Sequence, residues 1–283
     1  MNKKQISGII SHNENQQEKH ALREKITALE KEIKGLAKTT PTTVAKVVAE
    51  EPEPPPSFDL SNSSCKELAE NIRQYFRYLD DQQYINSYNL QNGSQVHFKQ
   101  LIDKLLANPP IVVRETDSLF TILTNTAHFY RVLGKENVLM ARDIIIREAD
   151  SLESSFALFN QWSITGDQCR DAQPNISLPL PKLYEYAGFF LNTLGGQSYL
   201  FRRNSHVRLL IKYYGVIVLD RANAEVINRH GIDITPPLES LINEIEIGET
   251  MVYKEQYLRT LHELQNKYQT YYDGAAAYRQ DVL

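Results

Sequence analysis

Hydrophobic residues near the N-terminus follow a heptad repeat. Within residues 22–36 they recur at alternating intervals of four and three, with isoleucine at heptad position a and leucine at position d. This combination favours a parallel two-stranded coiled coil, and the flanking positions offer attractive pairs, Glu18 with Arg23 and Lys25 with Glu30. The interaction residues that the pattern predicts are Leu22, Ile26, Leu29, Ile33 and Leu36.

A proline-rich acidic stretch separates this coiled-coil segment, residues 1–38, from the rest of the chain. Residues 39–60 contain the run EEPEPPP, in which proline removes backbone donors and favours an extended, flexible linker. The linker would leave the coiled coil free to pair with a second copy or with another protein. The alternatives are packing against its own chain or disorder, because an isolated helix of about 20 residues is only marginally stable.

From residue 61 to the end of the chain, apolar residues recur with a helical period almost everywhere. Ser64 and Glu67 have the spacing of a capping box, which marks the start of a helix. Only residues 111–113 and 216–219 resemble strands, and two such short runs do not make a sheet. We therefore predict that residues 61–283 form an all-α domain, an irregular bundle of about seven or eight helices.

The same pattern predicts where several helices begin, break and end. One helix should run from about residue 198 to residue 230, with Gly215 as the place where it would break. Thr235 is the predicted N-cap of the next helix, with Pro236 at its first position. The last helix should begin near Glu249 and place an apolar face on the domain or on a partner, with intramolecular packing favoured. That face consists of Tyr257, Leu261, Leu264, Tyr268 and Tyr271.

Residues 199–214 combine four cationic side chains with no acidic one. A basic helical face of this kind is typical of helices that bind phosphate, nucleic acid or an acidic partner. The net charge of −4 favours the alternative, a solvated face whose charges are paired with acids elsewhere, and argues against nucleic acid as the partner. Arg203 projects towards the apolar side and would need a buried carboxylate. The predicted anion-binding residues are Arg202, His206, Arg208 and Lys212.

Candidate catalytic chemistry is sparse, because the sequence contains no established catalytic or metal-binding motif. The loop 164–181 is long for a helical domain, and Cys169 beside Arg170 is the candidate nucleophile within it. A flexible connection is the alternative. Cys65 and Cys169 have neither a metal spacing nor the pattern of a disulfide framework, which favours a reducing compartment. His128 lies in an apolar helix and is predicted to be a core residue rather than a ligand.

These patterns favour a non-catalytic adaptor or scaffold, located in the cytoplasm, that needs no cofactor or metal. Its coiled coil would pair two chains or grip a protein partner, and its all-α domain would present a second interaction surface. We expect no membrane span, since no apolar run reaches about 18 residues, and no export signal is evident. The alternatives are an anion- or nucleic-acid-binding module that uses residues 199–214, and a helical enzyme with a site near the loop 164–181.

Overall fold

The chain is helical wherever the computed structural model describes secondary structure in it. The described residues are 24, 55–58, 60, 63–90, 92–110, 127–165, 168–169, 176–192, 204–223, 234–248 and 251–281. The five predicted heptad residues lie outside these ranges, as do Arg202 and Arg203. The coiled coil and the buried position of Arg203 therefore stay predictions.

Ten α-helices and one short 3-10 turn, residues Ala149–Ser151, make up the described part of the chain, and no strand occurs there. The all-α prediction is confirmed for this part, and residues 216–219, which resemble a strand in sequence, lie inside a helix. In chain order the helices are α1 (Cys65–Asp81), α2 (Tyr84–Tyr88), α3 (Gly93–Ala107), α4 (His128–Leu133), α5 (Lys135–Arg147), α6 (Leu152–Thr165), α7 (Leu180–Asn192), α8 (Ser205–Ala222), α9 (Thr235–Ile247) and α10 (Lys254–Asp281).

Local side-chain bonds set the starts of α1 and α3. The predicted capping box is present, since the Glu67 N–H donates to Ser64 Oγ at 3.3 Å and the Ser64 N–H donates to Glu67 Oε2 at 2.7 Å. Gly93 opens α3 with a φ of +83°, a left-handed conformation that glycine adopts readily. The next N–H, that of Ser94, donates to Asp80 Oδ1 at 2.8 Å. The end of α1 therefore caps α3 and fixes how the two helices meet.

Two predictions at helix boundaries are wrong, each for a packing reason. α8 is continuous through Gly215, where a Cβ would lie 3.4 Å from Leu191 Cγ, so the glycine allows α7 and α8 to approach closely. Thr235 is the first helical residue of α9 rather than its N-cap. The cap position belongs to Ile234, which is fully buried and whose carbonyl accepts the Leu238 N–H at 3.0 Å.

α10 begins at Lys254, later than the predicted start near Glu249, because a buried carboxylate holds the residues before it. Glu153 of α6 is only 3% exposed, and its two oxygens accept the N–H groups of Val252 at 2.7 Å and Tyr253 at 3.0 Å. These groups would otherwise be unpaired at the helix start. Tyr257 and Tyr268 of α10 are buried within the chain, as predicted for intramolecular packing.

Two apolar clusters form the core, and α6 contributes to both. The first joins α7, α8, α9 and α10 around buried residues such as Leu210 and Leu238, and it includes Leu152 at the start of α6. The second joins α1 and α2 to the later part of α6, around Ile72 and Leu158. α6 therefore connects the two halves of the core within the compact unit of residues 54–283.

A disulfide joins Cys65 to Cys169 across 104 positions of sequence. The prediction that the cysteines form no disulfide is wrong, and so is the interpretation of Cys169 as a nucleophile. Folding brings the first residue of α1 against a segment that follows α6, and both cysteines lie in the second apolar cluster. The expectation of a reducing compartment depended on unpaired thiols, so the disulfide removes its support.

The last residues of the predicted linker pack on the domain. Phe58 and Leu60 lie against the second apolar cluster, and the carbonyl of Pro56 accepts a hydrogen bond from Ser154 Oγ at 3.0 Å. A fragment that begins at residue 61 would lose these contacts, whereas one that begins at residue 54 would keep them.

Candidate ligand cavity

A cavity of about 490 Å³ is lined by residues of both apolar clusters. α1 contributes Phe76 and Leu79, α3 contributes Leu101, and α8 contributes Tyr214 and Val218. Further lining residues come from α4, α5, α6 and α7. With Tyr84 of α2, eight helices line one space, so their packing determines the size of the cavity.

Aromatic rings that contact one another form much of the cavity wall. The Phe98 ring lies 5.3 Å from that of Phe76 and 5.1 Å from that of Phe159, measured between centroids. Across the cavity lining, Phe129 and Phe190 are stacked at 5.7 Å. These separations fall in the favourable range for aromatic pairs. A ring that turned into the cavity would lose such contacts, so the wall resists collapse.

Several polar side chains line this mostly apolar cavity, and we call three of them the polar corner: Ser94, His97 and Arg142. Each has a buried polar atom without a hydrogen-bond partner among the residues that the structure describes, namely Ser94 Oγ, His97 Nε2 and Arg142 Nε. Ser94 is 7% exposed. Buried polar groups are nearly always paired, so three unpaired ones at one cavity call for a bound molecule or water.

Two contacts join the segment from Tyr88 to His97 to α5. Tyr88, just before α3, donates a hydrogen bond to Asp143 of α5, and His97 of α3 lies beside Asn137 at the start of α5. The segment from Tyr88 to His97 therefore runs along α5 in the opposite direction.

Neighbouring carboxylates of α5 and its C-cap are already paired with other groups. Asp143 lies 3.1 Å from Arg147 Nε and also accepts the bond from Tyr88. Glu148 is buried and accepts hydrogen bonds from the hydroxyl groups of Tyr78 and Tyr84. Burial, followed by the bond to Glu148, raises the pKa of both tyrosines, so they remain donors. Asp143 and Glu148 therefore both have partners other than Arg142.

His97 contributes a neutral imidazole to the polar corner at neutral pH. Burial lowers the pKa of His97, the positive charge of Lys104 lowers it further, and a hydrogen bond that the ring donates to Asn137 opposes the shift only in part. A neutral ring carries one N–H donor and one acceptor nitrogen. The formal charge of the polar corner is therefore the single positive charge of Arg142.

The predicted core histidine, His128, is confirmed as a satisfied buried residue. It is 1% exposed, and burial lowers its pKa to about 4, with Arg131 as the second cause. The bonding pattern assigns the tautomer. Arg131 donates to Nδ1 at 3.3 Å, Nε2–H donates to the Tyr186 hydroxyl at 3.1 Å, and that hydroxyl donates to the Leu105 carbonyl at 2.9 Å. Tyr186 also lines the cavity, so this chain positions one of its walls.

Three of the predicted anion-binding residues lie on α8, and each faces a carboxylate. Arg208 and Lys212 both donate to Glu244 of α9, at 2.9 Å and 2.6 Å. His206 Nε2 lies 3.6 Å from the buried carboxylate of Glu153. Burial alone would raise the pKa of Glu244, but the bond from Lys212 and the two positive charges hold it below its usual value.

The described residues offer little other site chemistry. They contain no group of three or more His, Cys, Asp or Glu side chains placed to hold a metal ion. Among them, no helix is long and apolar enough to cross a membrane. The cavity is thus the concave feature from which a function can be argued.

Sequence reasoning missed the polar corner, although one signal for it is present in α3. Ser94 and His97 lie at spacings of seven and four residues before Leu101, so they continue its apolar stripe. Polar residues on the buried face of a helix indicate either an internal partner or a ligand. Arg142 on α5 carries no comparable signal, because its position at the cavity depends on tertiary packing.

Comparisons with known proteins found no matching family model, no similar curated protein and no similar solved structure.

Proposed function

We propose that the helical domain binds a small molecule with an apolar body in its cavity. The observation that carries the proposal is the 490 Å³ space with aromatic walls and few polar groups. Ligand sites in proteins are typically concave and mostly apolar, with volumes of about 300–1,000 Å³ and a few polar groups that orient the ligand.

The energetic cost of an empty cavity supports this proposal. Wall atoms that face unfilled space lose the dispersion contacts that neighbouring atoms would supply. Apolar cavities also tend to exclude water. An apolar ligand would fill the space and recover the lost contacts.

A neutral fluorescent probe, N-phenyl-1-naphthylamine, tests the proposal on the full-length protein. We expect saturable binding with a rise in fluorescence, because the probe is apolar and carries no charge. Ala141 lines the cavity on α5, so Ala141→Phe should occupy part of the space and abolish or strongly weaken probe binding. Val96→Phe is the matched control, since Val96 is 42% exposed on α3.

The proposal fails if the probe does not bind, or if Ala141→Phe and Val96→Phe bind it equally well. Thermal melts of both variants should accompany the binding data. They separate a blocked cavity from an unfolded domain, because a folded Ala141→Phe protein must still melt cooperatively.

We also propose that the N-terminal segment makes this protein an adaptor or scaffold that pairs through its coiled coil. The supporting observation is the seam of isoleucine and leucine with attractive flanking charges. Ile26→Asp with Ile33→Asp would place like charges across the seam and should abolish pairing in sedimentation. Thr27→Asp with Lys34→Asp, at outward heptad positions, is the control. A monomeric wild-type protein would refute self-pairing and leave only a different partner.

A further inference from the structure

Three hydroxyl groups of the cavity wall are already bonded within the protein. Tyr84 donates to Glu148, and Tyr186 donates to the Leu105 carbonyl at 2.9 Å. Ser155 Oγ donates to a backbone carbonyl of its own helix at 3.0 Å. A hydroxyl group has one hydrogen to donate, so none of these three groups has its hydrogen available to a ligand.

The two remaining phenol groups on the wall also have partners inside the protein. The Tyr75 hydroxyl is in hydrogen-bond contact with Ser151 and Ser155, and the Tyr214 hydroxyl with Tyr257. Burial raises the pKa of Tyr75 to about 12 and holds the pKa of Tyr214 above its usual value. Both phenols are therefore uncharged at neutral pH, and neither offers a ligand a negative charge.

Charged side chains are nearly absent from the wall. Among the described residues that line the cavity there is no aspartate, glutamate or lysine, and Arg142 is the one arginine. Arg142 is partly exposed, so water can solvate its guanidinium group. A cationic ligand would meet no carboxylate on the wall, and an anionic ligand would meet only a guanidinium group that is already solvated.

We propose that the ligand of the cavity is an uncharged, largely hydrocarbon molecule, and that the cavity excludes ionised molecules with the same carbon skeleton. This inference rests on the proposed function, because it names the chemical class of the molecule that the cavity holds. Moving an ion from water into an apolar site is unfavourable unless a partner compensates its charge. A neutral molecule avoids that penalty and still gains from contact with the aromatic wall.

The unpaired atoms of the polar corner are compatible with a neutral ligand. Ser94 Oγ and Arg142 Nε can donate a hydrogen bond. His97 already donates its N–H to Asn137, so its unpaired Nε2 is an acceptor. A set that contains an acceptor as well as donors does not select an anion. Water, or a weakly polar group such as an ester, can satisfy each atom separately.

Four ligands that share a phenylbutyl skeleton test the inference, as competitors of N-phenyl-1-naphthylamine on the full-length protein at neutral pH. Two are neutral, butylbenzene and methyl 4-phenylbutyrate, and two are ions, 4-phenylbutyrate and 4-phenylbutylammonium. Each neutral ligand should bind at least about a hundredfold more tightly than either ion, because an ion buried without a partner loses its hydration. The ester and its acid are the decisive pair, since they differ mainly in charge.

Arg142→Gln tests the one cationic group on the wall. The ratio of ester affinity to carboxylate affinity should stay within about twofold of the wild-type ratio, because the guanidinium group holds no ligand charge. Arg147→Gln is the matched control on the same helix, since Arg147 is exposed and paired with Asp143. A carboxylate that binds as tightly as its ester, and at least about tenfold more weakly in Arg142→Gln, would overturn the inference and assign an anion site to Arg142.

Failure of this inference is distinguishable from failure of the proposed function. If either ion binds as tightly as the neutral ligands and Ala141→Phe blocks its binding, the cavity remains a ligand site and the restriction to neutral molecules is wrong. If the probe binds but neither neutral ligand displaces it, the inference fails and the proposed function stands. If the probe itself does not bind, both fail.

Discussion

Removal of the Glu153 carboxylate should destabilise the protein more than loss of any exposed acid. Glu153 is 3% exposed and accepts the N–H groups of Val252 and Tyr253 at 2.7 Å and 3.0 Å. It therefore joins α6 to the start of α10, almost a hundred residues later in the chain. Glu153→Ala would remove the acceptor of both backbone N–H groups at the start of α10.

The magnitude follows from the number and kind of bonds lost. Hydrogen bonds to charged groups contribute about 1.5–3 kcal/mol each, so two of them give a loss of about 3–6 kcal/mol in the free energy of unfolding. Glu153→Gln keeps the shape and one acceptor oxygen, but its amide would oppose the second N–H. We expect a loss of about 2–3 kcal/mol for that variant.

Urea unfolding followed by circular dichroism measures these changes, with Asp150→Ala as the control. Asp150 is exposed in the 3-10 turn before α6, so its replacement should change stability by less than about 0.5 kcal/mol. Hydrogen exchange should also accelerate at Val252 and Tyr253 in the glutamine variant. Equal, small effects of Glu153→Ala and Asp150→Ala would refute the role of Glu153 as the anchor of α10.

Three further predictions concern the disulfide, a buried histidine and the charge cluster of α8. Cys65→Ser opens a loop closed over 104 positions, which should lower the free energy of unfolding by about 4–5 kcal/mol in the loop-entropy description. Thiol titration of the untreated wild-type protein should find no free thiol. Burial lowers the pKa of His128 from 6.5 to about 4, so the neutral form contributes its full stability above pH 6.5. As the pH is lowered from 6.5 to about 4, the free energy of unfolding should fall by up to about 1.4 kcal/mol per pH unit. Thermal melts over this pH range should lack that slope in His128→Gln. Lys212→Gln should lower the free energy of unfolding by about 1–2 kcal/mol, because the Lys212 side chain is 14% exposed and bonded to Glu244. Lys99→Gln is the control and should cost less than about 0.5 kcal/mol, because the Lys99 side chain is 42% exposed. No loss of stability in Lys212→Gln would mean that this face of α8 is only solvated.

Local features of the fold were predictable from the sequence because they depend on neighbouring residues. The capping box of Ser64 and Glu67 involves residues three positions apart. The all-α class follows from apolar periodicity, which reports burial of one helix face. The burial of Tyr257 and Tyr268 was predictable for the same reason.

Features that join distant segments were not predictable in this way. The disulfide spans 104 positions, and neither Cys65 nor Cys169 carries a local signal of its partner. The pairing of Lys212 with Glu244 spans 32 positions and depends on how α8 and α9 pack. The cavity is the extreme case, since eight helices contribute to it and periodicity gives no information about the space between them.

The dependence of affinity on chain length tests the central claim, an apolar ligand site in the cavity, most directly. Titration calorimetry with a homologous series of primary alcohols measures it on the full-length protein, without any charged head group. Each added methylene that enters the cavity should contribute about 0.8 kcal/mol, which corresponds to about a fourfold gain in affinity per carbon until the cavity is full. The account predicts this rise followed by a plateau or a decline. No binding, or an affinity that does not change with chain length, would contradict it.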